Sequence, residues 1–329
     1  MGNNRLVKYK NFNIKISKAY NNNGDKVIFN NVLELIGNTP IVKINNLFNN
    51  LENDVELYAK LESRNPGGSS KDRIAYKMIS DLYYNKIINN DTTIIEVTSG
   101  NTGIGLAMVC AYLNLNLIVI MSESATIERV KLIKKYGARV ILLKKEISMN
   151  EGIEIAKALV KKIENSYFVN QFENSNNIEA HYESTALEIL NDFKESLNSI
   201  IVGMGSTGTI MGISKRLKEI YPKIKIIGVE PKECPIYSEN KIGENFIPGI
   251  SNTFIPYIYN NEYVDQIVVV NKEEAFLQME KIMKKEGISV GPSSGAVLAG
   301  AIKYIKENDI NNKKILMIFP DSIDKYLSL

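Results

Sequence analysis

The chain has 329 residues, 44% hydrophobic and 23% charged, with 40 basic and 37 acidic side chains and a net charge of +3. That length supports a large core and about two domains, and so small a charge excess, without a long basic block, argues against nucleic-acid binding. Two cysteines, Cys110 in an apolar helix and Cys234 in a polar loop, give no disulfide framework, and a single histidine, His181, leaves no basis for His-rich zinc sites or His-dependent triads.

Residues 1–30, rich in Asn and Lys, read as an N-terminal extension. Structure is expected to begin at Val32–Ile36, with strands at Ile41–Ile44 and Glu56–Glu62. Then comes Asn65-Pro66-Gly67-Gly68-Ser69-Ser70-Lys71, a tight turn whose serines can cap a helix over Ile74–Ile79. From there strands and helices alternate. Strands are predicted at Ile94–Val97, Leu117–Met121 and Val140–Leu143, with helices over about 103–113, 127–136 and 150–163. The second half repeats the pattern, with a helix at His181–Leu190, strands at Ile200–Val202, Ile224–Val229, Gln266–Val270 and Ile315–Phe319, and helices between them. Continuous apolar strands alternating with helices indicate parallel sheet covered on both faces, with ligands at the carboxyl ends of the strands. No apolar run reaches membrane-spanning length and the N-terminus has no apolar secretory core, so a cytoplasmic location is expected.

Three strand-to-helix turns carry chemistry. Gly203-Met204-Gly205-Ser206-Thr207-Gly208 matches G-x-G-x-x-G, with Glu230 at the end of the next strand, as in a dinucleotide fingerprint. Its backbone N–H groups and hydroxyls can equally hold another phosphate, or the glycines can serve the turn alone. Thr98-Ser99-Gly100-Asn101-Thr102-Gly103 can hold a carboxylate or simply cap a helix. Gly291-Pro292-Ser293-Ser294-Gly295 reads as a capped helix start with Ser at the N-cap. Lys71 is either a solvated surface lysine or a Schiff-base lysine, since amines form imines with carbonyl groups.

The order of these loops resembles the cysteine synthase/cystathionine β-synthase family, the β-replacement branch of fold-type II pyridoxal-phosphate enzymes. The likeness rests on Ile36–Pro40, Asn65–Arg73, Thr98–Gly103, Ile127-Glu128-Arg129, Gly205–Thr209, Glu286-Gly287-Ile288, Ser293–Ala296, Pro320-Asp321 and Lys325–Ser328, and spans about residues 31–329. It implies a two-domain, tryptophan synthase β-like α/β fold, each domain a mostly parallel sheet flanked by helices. The smaller, mobile domain would be 65–173, and the larger one 31–64 with 174–329. An NAD-binding oxidoreductase would leave Lys71 and the 98–103 loop unexplained; a non-catalytic binding module would be marked by a degraded lysine or carboxylate loop, and both are intact.

The resemblance implies that Lys71 holds pyridoxal 5′-phosphate covalently and then acts as acid–base at the substrate α-carbon. It implies that Gly205, Ser206, Thr207, Gly208 and Thr209 form the phosphate cup. Many members have glycine where Thr207 stands. Asn101 would bond the ring hydroxyl, and Ser293 the ring nitrogen, as a neutral partner that favours elimination and replacement over transamination. Thr98, Ser99, Gly100, Asn101 and Thr102, with Gln171, would grip the substrate carboxylate. The reaction implied is β-replacement on an L-serine- or L-cysteine-type amino acid through an α-aminoacrylate, foremost cysteine synthase: O-acetyl-L-serine and sulfide to L-cysteine and acetate. Sulfide release from cysteine with lanthionine formation, diaminopropionate synthesis and cystathionine β-synthase-like activity are the alternatives. Ser251, where many members have glycine, is expected near the leaving group or nucleophile. A homodimer and an acetyltransferase tail docking in the cleft are further implications; no metal is implied.

Overall fold

The computed structural model describes residues 28–47 and 54–329; residues 1–27 of the expected extension lie outside them. Among the described residues ten strands form two sheets. The six-stranded sheet runs β1 (Ile41–Lys43), β2 (Glu56–Leu61), β10 (Lys314–Phe319), β7 (Ser199–Gly203), β8 (Lys225–Pro231) and β9 (Gln266–Val270). The four-stranded sheet runs β5 (Arg139–Leu143), β4 (Asn116–Ser122), β3 (Thr93–Val97) and β6 (Ser166–Phe168). β1 pairs antiparallel with β2, and every other pairing is parallel.

The apolar runs explain why both faces of each sheet are covered. Side chains alternate across a strand. In β10, Ile315, Met317 and Phe319 enter a core shared with α9 (Lys272–Glu286) and α10 (Pro292–Glu307). Leu316 and Ile318 enter the opposite core, shared with α6 (Ala186–Phe193) and α7 (Gly208–Ile220). In β3, Ile94 packs with α1 (Lys71–Tyr84) and α2 (Asn101–Leu113). Ile95 and Val97 pack with α4 (Met149–Lys162) on the other side. α3 (Ile127–Lys135) joins α2 on that sheet's first face through Val130 and Ile133. Two short helices, α5 (Asn176–Ala180) and α8 (Ile236–Glu239), complete the set.

Four local expectations are corrected. The helix expected at His181–Leu190 is broken by one π turn, His181–Thr185, where the His181 ring bonds Thr185 Oγ1 at 2.8 Å and Thr209 Oγ1 at 3.0 Å. The N-cap of α10 is Gly291, with Pro292 as its first residue and Ser293 inside the first turn. Cys234, read as lying in a polar loop, is buried. β6 gave no sequence signal: three residues, one of them serine, pair only at an edge of the sheet.

Candidate active site

The carboxyl ends of β3, β4, β7 and β10 face one cavity of about 800 Å³, and Lys71 lies in its wall. Lys71 is the first residue of α1 itself, earlier than the sequence pattern suggests. Ser69, not Ser70, supplies the capping oxygen, accepting from Lys71 N–H at 3.2 Å. The Lys71 amine donates to Ser206 Oγ at 3.3 Å, across the space between the two sheets. Burial lowers that amine to about 8, against the opposing pull of the Asp321 carboxylate.

The loop after β7 meets Lys71 from the larger sheet. Gly205, Ser206, Thr207 and Thr209 line the cavity; Gly208 does not. Gly208 serves close packing instead, because a Cβ there would sit 1.9 Å from Asn177 Oδ1. Thr207 stands in the left-handed region at φ 65°, a conformation that suits glycine and costs a β-branched residue about 1–3 kcal/mol. Glycine, having no Cβ, would adopt the same conformation without that cost. Asn177, which no motif marked, ties the loop down by donating to Ser206 Oγ (3.2 Å) and Gln171 C=O (2.7 Å). The carboxylate of Glu230 accepts from Tyr237 N–H (2.8 Å) and Ser238 N–H (2.9 Å). It holds the start of α8, so the dinucleotide fingerprint loses its ribose partner.

The loop after β3 meets Lys71 from the smaller sheet. Thr98, Ser99, Asn101 and Thr102 line the cavity, while Gly100 underlies it at φ 154° with Arg129 packed against its backbone. Thr102 Oγ1 donates to Gln171 Oε1 at 2.8 Å, and Gln171 Nε2 reaches Val97 C=O at 3.4 Å, so Gln171 does join this loop. Thr98 Oγ1 accepts from Gly100 N–H at 3.1 Å and shapes the turn. Ser251 lines the cavity at φ 64°, but its hydroxyl donates to Cys234 C=O at 3.0 Å, turned to backbone instead of held free for a leaving group.

Among the described residues, five that line the cavity carry a buried polar atom without a protein partner: Thr207 Oγ1, Ser293 Oγ, Asn101 Oδ1, Arg129 Nε and Thr253 Oγ1. Buried polar groups are normally satisfied, so each calls for a partner from a bound group. Hydroxyls beside helix N-terminal amides can take a phosphate, a lone serine hydroxyl can take a ring nitrogen, and an amide oxygen can take a ring hydroxyl. Together with a desolvated amine, the set fits a phosphorylated pyridine aldehyde.

A cavity so furnished belongs to an enzyme that works through an amine and a carbonyl cofactor. The family described as pyridoxal-phosphate dependent enzyme matches residues 32–321, and the chain belongs to it. Its cofactor is pyridoxal phosphate. A cysteine synthase from a Flavobacterium strain is 47% identical over 80% of this chain and 85% of its own length. Cysteine synthase B from Campylobacter jejuni is 42% identical over 90% of this chain and 96% of its own. Among solved structures, a hydrogen sulfide-producing enzyme from Fusobacterium nucleatum is 44% identical, covers 91% of this chain and 100% of its own, and superposes with a TM-score of 0.87. An O-acetylserine-dependent cystathionine β-synthase from Helicobacter pylori is 36% identical with a TM-score of 0.87, over 92% of this chain and 98% of its own.

A pH dependence follows from the buried amine. Lys71 must be neutral to bond an aldehyde, and it holds its proton below about 8. The rate at which cofactor-stripped protein takes up pyridoxal phosphate, followed by visible absorbance, should therefore rise about tenfold per pH unit up to pH 8 and level above it. A rate still climbing past pH 10 would mean an ordinary, solvated lysine.

Proposed function

We propose that this enzyme carries out β-replacement on an L-serine- or L-cysteine-type amino acid, and that its reaction is that of a cysteine synthase, replacing the acetate of O-acetyl-L-serine by sulfide. The observation that carries the reading is the meeting of two donor sets at Lys71: the unpartnered atoms of Thr207, Ser293 and Asn101, and a separate hydroxyl and amide patch from Thr98, Ser99, Thr102 and Gln171. The first set suits the cofactor and the second the substrate carboxylate. Pyridoxal phosphate, when bound, supplies an electron sink that allows the Cα–H bond of an amino acid to break. Lys71 Nζ takes that proton and later returns it; its lowered basicity suits both directions. Ser206, Thr207 and Thr209, with the N–H group of Gly205, hold the phosphate. Ser293 offers the ring nitrogen a neutral hydroxyl, which favours loss of a group from Cβ over transamination. Thr98, Ser99, Asn101 and Thr102, steadied by Gly100 and Gln171, orient the carboxylate.

The division into a smaller unit at 65–173 and a larger one at 31–64 with 174–329 belongs to this proposal. The four-stranded sheet lies wholly within the first span and the six-stranded sheet within the second. Closure of the smaller unit over the substrate would exclude water. A homodimer, a cytoplasmic location and an acetyltransferase-tail partner complete the proposed setting; among the described residues no helix is long and apolar enough to cross a membrane.

Sulfide release from L-cysteine is a second reading, favoured by the 44% identity to the hydrogen sulfide-producing Fusobacterium enzyme. Turnover of O-acetylserine, serine, phosphoserine and cysteine against sulfide, cysteine and ammonia, with products identified by mass, separates the two. The expected result is O-acetylserine with sulfide as the fastest pair, and Ser251→Gly should leave the ranking unchanged because the Ser251 hydroxyl is bonded to backbone. Cysteine as the fastest sole substrate would replace the first reading by the second, and no turnover of any pair would reject both.

A further inference from the structure

Asp321 sits where three parts of this site meet, the turn before Lys71, the start of α10 and the loop after β3, yet none of the roles above uses it. It follows β10, bridges to Ser69 in the turn before Lys71, and its C=O accepts from Gly291 N–H at the start of α10. Its side chain is 1% exposed. Oδ2 accepts from Asn101 Nδ2 at 2.6 Å and also from the Tyr326 hydroxyl, while Oδ1 has no partner. The Tyr326 ring is held in turn by Arg129, whose guanidinium lies 4.3 Å over it and donates to Ser99 C=O.

The two ends of an asparagine amide have the same shape and opposite hydrogen-bonding character. A carboxylate accepts and cannot donate, so beside Asp321 the NH₂ end of Asn101 must face the carboxylate. The carbonyl end is then fixed too, and Asn101 Oδ1 is one of the buried cavity-lining atoms without a protein partner.

We propose that Asp321 is a positioning residue that fixes the orientation of the Asn101 amide, so that Asn101 keeps its carbonyl oxygen for the ring hydroxyl of the cofactor. The proposal rests on the reading of Asn101 as a cofactor partner. Asp321 acts through Asn101; Tyr326 holds the carboxylate but is dispensable for the orientation, because Asn101 Nδ2 still has its acceptor without it.

The test is the dissociation constant for pyridoxal phosphate, measured by absorbance and fluorescence on cofactor-stripped protein. Binding by the wild type establishes the cofactor reading separately. Asp321→Asn should weaken binding about tenfold, the equivalent of about 1.4 kcal/mol, and alter the visible band, while in an Asn101→Ala background the same substitution should change binding less than twofold. Tyr326→Phe should bind within twofold of wild type. Equal losses from D321N in both backgrounds, or no loss in either, would overturn the proposal. Should D321N fail to fold, the remaining pair decides: Y326F losing as much affinity as N101A would show that the carboxylate serves the C-terminal segment and not the amide.

Discussion

Replacing Lys71 by alanine is expected to leave a folded protein without the visible absorption of bound cofactor and with turnover reduced at least about 10³-fold. The fold should tolerate the change. The Lys71 amine makes a long 3.3 Å bond to Ser206 and is otherwise a desolvated group whose burial works against its charge. Activity should not tolerate it, because the same atom is proposed to anchor the cofactor and to carry the α-proton. Absorbance spectra, thermal melts and turnover on one preparation check all three parts. A K71A protein that kept both the band and the turnover would remove Lys71 from the chemistry.

Substituting Arg73 by leucine is expected to cost about 3–5 kcal/mol of stability, the largest loss foreseen from a single position. Arg73 lies two residues beyond Lys71 on α1 and is 2% exposed. Its guanidinium bonds Glu62 at 2.7 and 2.9 Å and Glu188 at 2.6 and 2.8 Å, and Lys60 Nζ adds a bond to Glu188 at 2.8 Å. Two cations balance two carboxylates, so the cluster is neutral while intact and carries an unpaired buried charge once Arg73 is gone. Burial alone would raise Glu188, but Arg73 and Lys60 outweigh it and bring the carboxyl down to about 2 from an ordinary 4.5. A depressed carboxylate stabilises the fold above its unfolded value, so this contribution is complete above about pH 4.5 and is lost as pH falls toward 2. Urea unfolding at neutral pH should show the full R73L deficit, and the deficit should shrink in that acid window. An R73L protein as stable as wild type at pH 7 would mean that the cluster is replaceable by apolar packing. The cluster joins β2, the turn before Lys71 and α6, so its loss should also loosen the start of α1.

The fold class was legible in the sequence because a parallel sheet buried on both faces needs continuous apolar strands, and Ile94-Ile95, Leu117–Met121 and Ile315–Phe319 have no other economical placement. The helix after Lys71 was legible from its turn chemistry. The π turn at His181 was not; it lies where the His181 ring meets Thr209, 28 positions away in the sequence. Likewise Glu230 completed a dinucleotide pattern by spacing alone, and only the packing of α8 shows that its oxygens are already used.

What the sequence by itself determined was the inventory: a lysine at a strand–helix turn, three hydroxyl-rich loops at helix starts, two of them at strand ends and the third, before α10, following α9 instead of the expected strand, and an order of motifs that singles out one enzyme family. Which atoms of that inventory are free to bind was decided only by the tertiary structure. Ser251 offered a hydroxyl that the fold turns to Cys234, whereas Ser293, read as a helix cap, leaves its hydroxyl unpartnered. Asp321 stood at the end of the last strand with no assigned role until β10 brought it beside Asn101, 220 positions away. Sequence spacing carries which groups exist and what they can do; whether a donor or acceptor is already satisfied depends on neighbours that only the folded chain brings within 3 Å.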